Sequence, residues 1–265
     1  MATKRAAQKG EERYRAPALD KGLDIIELFV VENGPMALSE VARRLDRSVG
    51  EIFRMVMTLE RRGYLSLDPD TDQYQLSLKM FRLAHRHMPI QQLAGGSTEP
   101  MKRFAREMRQ SCHIAVPHQG RGLIVVQEDS PTNRGFRVRL GAELELATTC
   151  SGLIILAFLD EHERERQIEL AKQHEDAPMI DLVELKDMIE KIREKRYYQV
   201  KSSYTKGVTD VGCPIFGFGG EFMGALTMPF LGRIDRNQID VTTARGALTD
   251  TAALISENLG FDPEL

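Results

Sequence analysis

The 265-residue chain has few cysteines: Cys112, Cys150 and Cys213 stand far apart, with no CxxC pair. That scarcity argues against a disulfide framework and a thiolate zinc site, and it fits a reduced, cytoplasmic setting. The six histidines show no metal-ligand spacing; His85 and His87 lie two apart, which on a helix sends them to different sides. No apolar run approaches the roughly 20 residues of a membrane span, so no membrane partner is expected. The first fifteen residues, MATKRAAQKGEERYR, lack the apolar stretch of a secretory signal. GxSxG, HExxH and the P-loop are all missing. Gly217-Phe218-Gly219-Gly220 sits between two strand-like runs, so it reads as a hairpin turn rather than a phosphate loop. The expectation is a protein that is not an enzyme, with no cofactor and no resident metal.

A strong charge of one sign is missing too. Residues 1–90 hold 15 Lys/Arg against 13 Asp/Glu, a balance of +2; the remainder holds 21 against 26, a balance of −5. If the chain binds nucleic acid, a local basic face must do it rather than a global field.

What the chain does have is 42% hydrophobic residues in clear periods. Leu38, Val41, Ala42 and Leu45 give one helix a buried face; Ile52, Met55, Val56 and Leu59 give a second. Asp46-Arg47-Ser48 between them leaves room only for a turn, and Ser48 followed by Glu51 forms a capping-box pattern. Gly63 ends the second helix, and Tyr64–Leu67 and Tyr74–Leu76 alternate like strands around DPDTDQ. Helix, turn, helix and hairpin make a winged helix-turn-helix, with a preceding helix from Ala18 to Asn33 as its third.

Beyond it, residues 77–93 read as helical, with Pro89 breaking or kinking the run. Gly95-Gly96-Ser97 reads as flexible punctuation, with Ser97 capping a helix over 98–110. Strands are expected at 113–116, 123–127, 136–140, 197–200, 208–216 and 222–230. An apolar helix is expected over 153–159, charged helices over 160–196 with Leu182, Leu185, Ile189 and Ile192 inside, and a last helix over 235–259. The fold class is α+β in two domains: a disordered tail at 1–15, a winged helix-turn-helix at 16–77, a linker helix at 78–97 and an antiparallel-sheet domain at 98–265.

This order resembles the IclR family of bacterial transcription regulators. ALDKGLDIIELF resembles the family's first helix, and LSEVARRLDRSVGEIFRMVMTLERRGYL its helix-turn-helix. GAELELATTCSGLIILAFL resembles the entry to the effector domain's buried helix, and KGVTDVGCPIFGFGGEFMGALTM a pair of pocket strands. The resemblance covers roughly residues 16–260. It implies a GAF-like effector domain, binding to double-stranded operator DNA as a homodimer or dimer of dimers, and a small organic-acid or aromatic effector. Recognition helices present their first exposed residues to base edges, which makes Arg47, Ser48, Val49, Gly50, Glu51 and Arg54 candidates, with Arg43 and Arg44 on phosphates. Asp68, Asp70 and Asp72 depart from the basic wing usual in DNA contact.

For the effector, Thr148–Gly152 opens an apolar helix whose free N–H groups favour a carboxylate. By position in the family, the lining would be Thr149, Cys150, Ser151, Val208, Asp210, Thr227 and Pro229. Leu153 stands where the family usually has lysine, and Pro229 where relatives carry a hydrogen-bonding side chain, which favours a larger or aromatic acid. The rival expectation is a DNA-binding protein whose C-terminal domain only oligomerises.

Overall fold

A computed structural model describes residues 16–84, 88–133, 135–232 and 239–262. The expectations for the 1–15 tail, for His85 and His87, and for residues 235–238 of the last helix lie outside them. The chain forms two compact units that divide between His87 and Met88.

The first unit is built from α1 (Pro17–Glu32), α2 (Leu38–Arg44), α3 (Val49–Arg61), β1 (Leu65–Asp68), β2 (Gln73–Leu76) and α4 (Lys79–Ala84). Asn33 ends α1 in the left-handed region, with φ 50°. After α2, Asp46 also adopts positive φ, and the amide of Arg47 returns to the Ala42 carbonyl at 3.0 Å while that of Asp46 returns to Arg43 at 3.2 Å. This double bond satisfies two orphan carbonyls and fixes the turn. The same device closes α3: Gly63, at φ 75°, donates to Glu60 and Tyr64 donates to Leu59. Here glycine is required, since a side chain would be strained at that φ.

β1 and β2 pair antiparallel from Leu65↔Leu76 to Asp68↔Gln73, and Met36 adds a bridge to Tyr74. Ile25, Phe29, Val41, Ile52, Val56 and Leu65 close one core, each fully buried aliphatic contributing about 1.5–3 kcal/mol. Leu19 and Leu23, apolar members of the same helical pattern, point outward and are 61% and 47% exposed.

The second unit begins with α5 (Met88–Met108) and continues through β3 (Cys112–His118), β4 (Arg121–Glu128), β5 (Glu143–Glu145), α6 (Cys150–Phe158), α7 (Glu161–Ala171), α8 (Leu182–Lys195), β6 (Tyr198–Lys201), β7 (Val208–Phe216), β8 (Phe222–Leu231) and α9 (Val241–Asn258). Six antiparallel strands run in the order β5-β4-β3-β8-β7-β6. Alternation along the strands separates two cores. Cys112, Ile114, Val211, Cys213, Leu226 and Met228 pack against α5 and α9. Ala115, Ile124 and Ala225 pack against α6 and α8. The result is three layers, helices on both faces of one sheet.

Three expectations are corrected. Gly95-Gly96-Ser97 is not punctuation: α5 runs through it, and Ser97 is buried inside the helix rather than capping one. Packing explains this. Pro100 lacks the N–H that would bond the Gly96 carbonyl, and the Asn258 side-chain amide donates to that carbonyl instead, at 2.9 Å. Residues 136–140 do not form a strand. The ladder on that side goes to β5, while the Leu140 amide bonds the Gln127 side chain at 2.9 Å. Leu182 lies outside the core, 46% exposed, whereas Leu185, Ile189 and Ile192 are buried as expected. The hairpin turn at Gly217–Gly220 forms as read, with Gly217 donating to Glu221.

Candidate functional site

In the first unit the candidate nucleic-acid face is the start of α3. Ser48 caps the helix: its hydroxyl accepts from the Glu51 amide at 3.4 Å, and the Glu51 carboxylate accepts from the Ser48 amide at 3.0 Å and its hydroxyl at 2.9 Å. Lys21 donates to the other Glu51 oxygen at 3.2 Å. The Ser48 and Lys21 donors hold the Glu51 carboxyl near a pKa of about 2. Its acceptor capacity is spent on capping, which leaves little for a cytosine amine. Glu51→Ala should therefore lower the melting temperature at pH 7. A carboxyl with a depressed folded pKa stabilises above its unfolded value and loses that contribution as pH falls through the folded one. The gap to the parent protein should thus narrow as pH drops below 4.5 toward about 2. Parallel melts over that range check this, and a gap independent of pH would refute it.

The neighbouring arginines differ in their freedom. Arg43 and Arg44 share the Glu40 carboxylate at 2.6 and 2.8 Å, and Arg44 also reaches Glu32 at 2.8 Å. Arg47 pairs with Asp24 at 3.2 Å and buries an Nε that has no partner among the described residues. Arg54 is exposed and pairs with no carboxylate among the described residues. The space above Gly50 is open, with nothing within 4 Å of where a Cβ would sit. Val49, one of the expected helix-start residues, and Phe53, which the sequence did not single out, are 43% and 47% exposed and add apolar surface beside Arg54; such groups suit thymine methyls. In the wing, Asp68 accepts from the Asp70 amide at 2.9 Å, so one of the three acids forms the turn itself.

In the second unit a cavity of about 550 Å3 opens beside the N-terminus of α6. A larger cleft, about 810 Å3, lies along α7 and α8, but charged side chains dominate its walls and none of the expected residues lines it. The smaller cavity brings together Thr149, Asp210 and Thr227, three of the seven positions carried over from the family. Cys150, Ser151, Val208 and Pro229 are buried and do not line it. The Cys150 thiol turns to the Tyr198 carbonyl at 3.6 Å. Ser151 lies one layer behind the wall, its hydroxyl donating to Thr227 Oγ1 at 2.8 Å and meeting His113 Nε2 at 3.1 Å.

Thr149 caps α6 by accepting from the Gly152 amide at 3.0 Å. Gly152 is indispensable there: a Cβ would lie 2.4 Å from the Glu145 carbonyl and from Leu146 Cα. Asp210 has its carboxyl pKa raised by burial, partly opposed by the Ser202 hydroxyl. Position in the chain missed His113, Arg121, Arg139, Ser202 and Tyr204, all of which line the cavity. Arg121 is already committed to Glu145 and Asp176, and Arg137 to Asp129. Arg139 is exposed and pairs with no carboxylate among the described residues. Burial lowers the His113 pKa to about 4, so its ring is neutral at physiological pH. Among the described residues no cluster of His, Cys, Asp or Glu could hold a metal ion, and no helix is long and apolar enough to cross a membrane.

Two family models cover nearly the whole chain. Residues 18–69 match the IclR helix-turn-helix domain, and residues 85–257 match the bacterial transcriptional regulator IclR C-terminal model. The chain belongs to the IclR family. It is an IclR-type DNA-binding transcription regulator with an effector-binding domain. The HTH-type transcriptional regulator KdgR of Escherichia coli is 21% identical over 201 residues, 75% of this chain and 76% of that one. The HTH-type transcriptional regulator BhcR of Paracoccus denitrificans is 26% identical over 215 residues, 80% of this chain and 76% of that one. An IclR homolog from Microbacterium hydrocarbonoxydans, solved in complex with 4-hydroxybenzoate, superposes with a TM-score of 0.71 at 19% identity, covering 91% of this IclR-family chain and 98% of that one.

Proposed function

We propose that this regulator acts in the cytoplasm, binds operator DNA through the start of α3, and changes its affinity when a small organic acid or aromatic metabolite enters the cavity beside α6. Its target would be a catabolic operon, as repressor or activator. The observation that carries this reading is the cavity: about 550 Å3 with Thr149, Asp210, Thr227 and the uncommitted Arg139 on its wall. Arg139 and the helix N-terminus favour a carboxylate, and the 4-hydroxybenzoate complex of the Microbacterium homolog supports the same class of ligand. Arg54, with Arg43, Arg44, Arg47, Ser48 and Gly50 around it, supplies the proposed DNA face.

The test has two steps. Genomic fragments selected on the purified protein at near-physiological salt should yield sites with two related half-sites. Acids related to the adjacent genes should then raise the melting temperature, because a ligand that binds only the folded state stabilises it by RT ln(1 + [L]/Kd). Selection of nothing above background would count against the DNA reading. A melting temperature indifferent to every acid would leave the C-terminal domain as an assembly module.

Assembly as a homodimer or dimer of dimers is part of the same reading. Leu19, Leu23 and Val30 of α1 stand outward at 61%, 47% and 61% exposure. With the half-buried Ile26, they repeat at spacings of four, three and four residues, the seam of a paired helix. Leu23→Glu should weaken self-association at least tenfold, because a buried unpaired charge costs several kcal/mol. Sedimentation velocity across a concentration series reads the change, and an unaltered dimer would rule out α1 as the seam.

A further inference from the structure

His113 is the most deeply buried titratable side chain on the cavity wall, 3% exposed, and family position did not single it out. Its hydrogen bonds settle which way the ring is used. The Ser151 hydroxyl gives its proton to Thr227 Oγ1, so its oxygen is left to accept, and the donor it meets at 3.1 Å is His113 Nε2–H. A neutral ring protonated on Nε2 carries a lone pair on Nδ1. Nδ1 has no partner among the described residues, and the residue borders the cavity. An unmatched acceptor on a cavity wall is free to take a hydrogen bond from a ligand that enters. Asp210, whose carboxyl is also an acceptor, lines the same space. Two acceptors on the wall, with Arg139 as the uncommitted cation, ask for a ligand carrying both an anionic group and an O–H.

We infer that His113 is a ligand-reading residue, whose Nδ1 accepts a hydrogen bond from the hydroxyl of a hydroxylated carboxylic acid and so discriminates it from the acid lacking that hydroxyl. Ser151 and Thr227 act behind it as positioning residues that hold the ring in the Nε2–H form. This rests on the reading of the cavity as an effector site and adds the chemical feature that the site selects.

The test compares paired acids by titration calorimetry: glycolate with acetate, lactate with propionate, and 4-hydroxybenzoate with benzoate. At least one hydroxy acid should bind the unaltered protein about tenfold tighter than its partner, the value of one buried hydrogen bond. His113→Phe should erase that preference, and His113→Asn, which keeps a side-chain oxygen acceptor, should restore part of it. In 15N spectra of the unaltered protein, Nδ1 of His113 should be the unprotonated nitrogen, and its signal should move with the hydroxy acid only. This measurement does not depend on how the variants fold. Equal binding of both members of every pair, a preference that survives His113→Phe, or a proton on Nδ1 would each overturn the inference while leaving the effector site standing. Binding of none of the six acids would overturn the inference together with the reading of the cavity as an organic-acid site.

Discussion

Arg54→Ala should abolish the operator shift while leaving assembly intact. Arg54 is exposed one turn into α3 and has no carboxylate partner among the described residues, whereas Arg61, also exposed, stands at the far end of the helix. A bidentate arginine–guanine contact contributes about 1–3 kcal/mol of discrimination, and a two-fold complex loses it at both half-sites. The combined loss, about 2–6 kcal/mol, takes ordinary specific binding into the non-specific range. Arg43→Ala and Arg44→Ala should cost less, because either guanidinium must leave Glu40 before it can reach a phosphate. Fluorescence anisotropy at matched salt on a selected site separates these cases. Unchanged affinity for the Arg54 variant would remove it from the interface.

Gly152→Ala should strongly destabilise the second unit. The new Cβ would stand 2.4 Å from the Glu145 carbonyl oxygen, Leu146 Cα and the Leu146 carbonyl oxygen, all backbone atoms that no rotamer change can clear. Overpacking costs typically 1–3 kcal/mol and sometimes more. A loss of about 3 kcal/mol lowers the melting temperature by roughly 6–12 °C in a domain of this size. Gly246→Ala serves as the control. It lies in α9, is exposed, and has nothing within 4 Å of its Cβ position. There the methyl should stabilise by about 0.5–1 kcal/mol through helix propensity. Calorimetry on both variants checks the pair, and similar shifts in the two would mean that the close approach at Gly152 carries no strain. Because this approach sets where α6 begins, ligand affinity should fall with stability.

Local chemistry made much of the first unit legible. Ser48 with Glu51 announces the start of α3, Gly63 its end, and the aspartate-rich turn its hairpin; each is a bond between near neighbours, so sequence spacing determines it. The cavity was legible only through the family resemblance. Thr149, Asp210 and Thr227 were carried over from family positions on α6, β7 and β8. His113 and Arg121 come from β3 and β4, and Arg139 and Tyr204 from loops. Their convergence depends on which strands become neighbours, and no local period encodes that. Residues 136–140 misled for the same reason: alternation predicts a half-buried extended chain, which they are, yet a strand also needs a backbone partner. At Gly95-Gly96-Ser97 local propensity pointed to a break, and packing of α9 against the helix overrode it.

The bond from Asn258 to Gly96 bears on how the second unit is made. The two residues are 162 positions apart, and the central pairing of β3 with β8 also joins early chain to late. Contacts of such separation are slow to form, because loop closure must precede the gain. The first unit is closed by shorter-range contacts, such as the bridge of Met36 to Tyr74, 38 positions apart. Pulse-labelled hydrogen exchange during refolding should therefore protect the amides of α1–α3 before those of β3 and β8, and simultaneous protection would contradict it. On the ribosome, the helix containing Gly96 must wait for a residue made 162 positions later to satisfy the carbonyl that Pro100 leaves open.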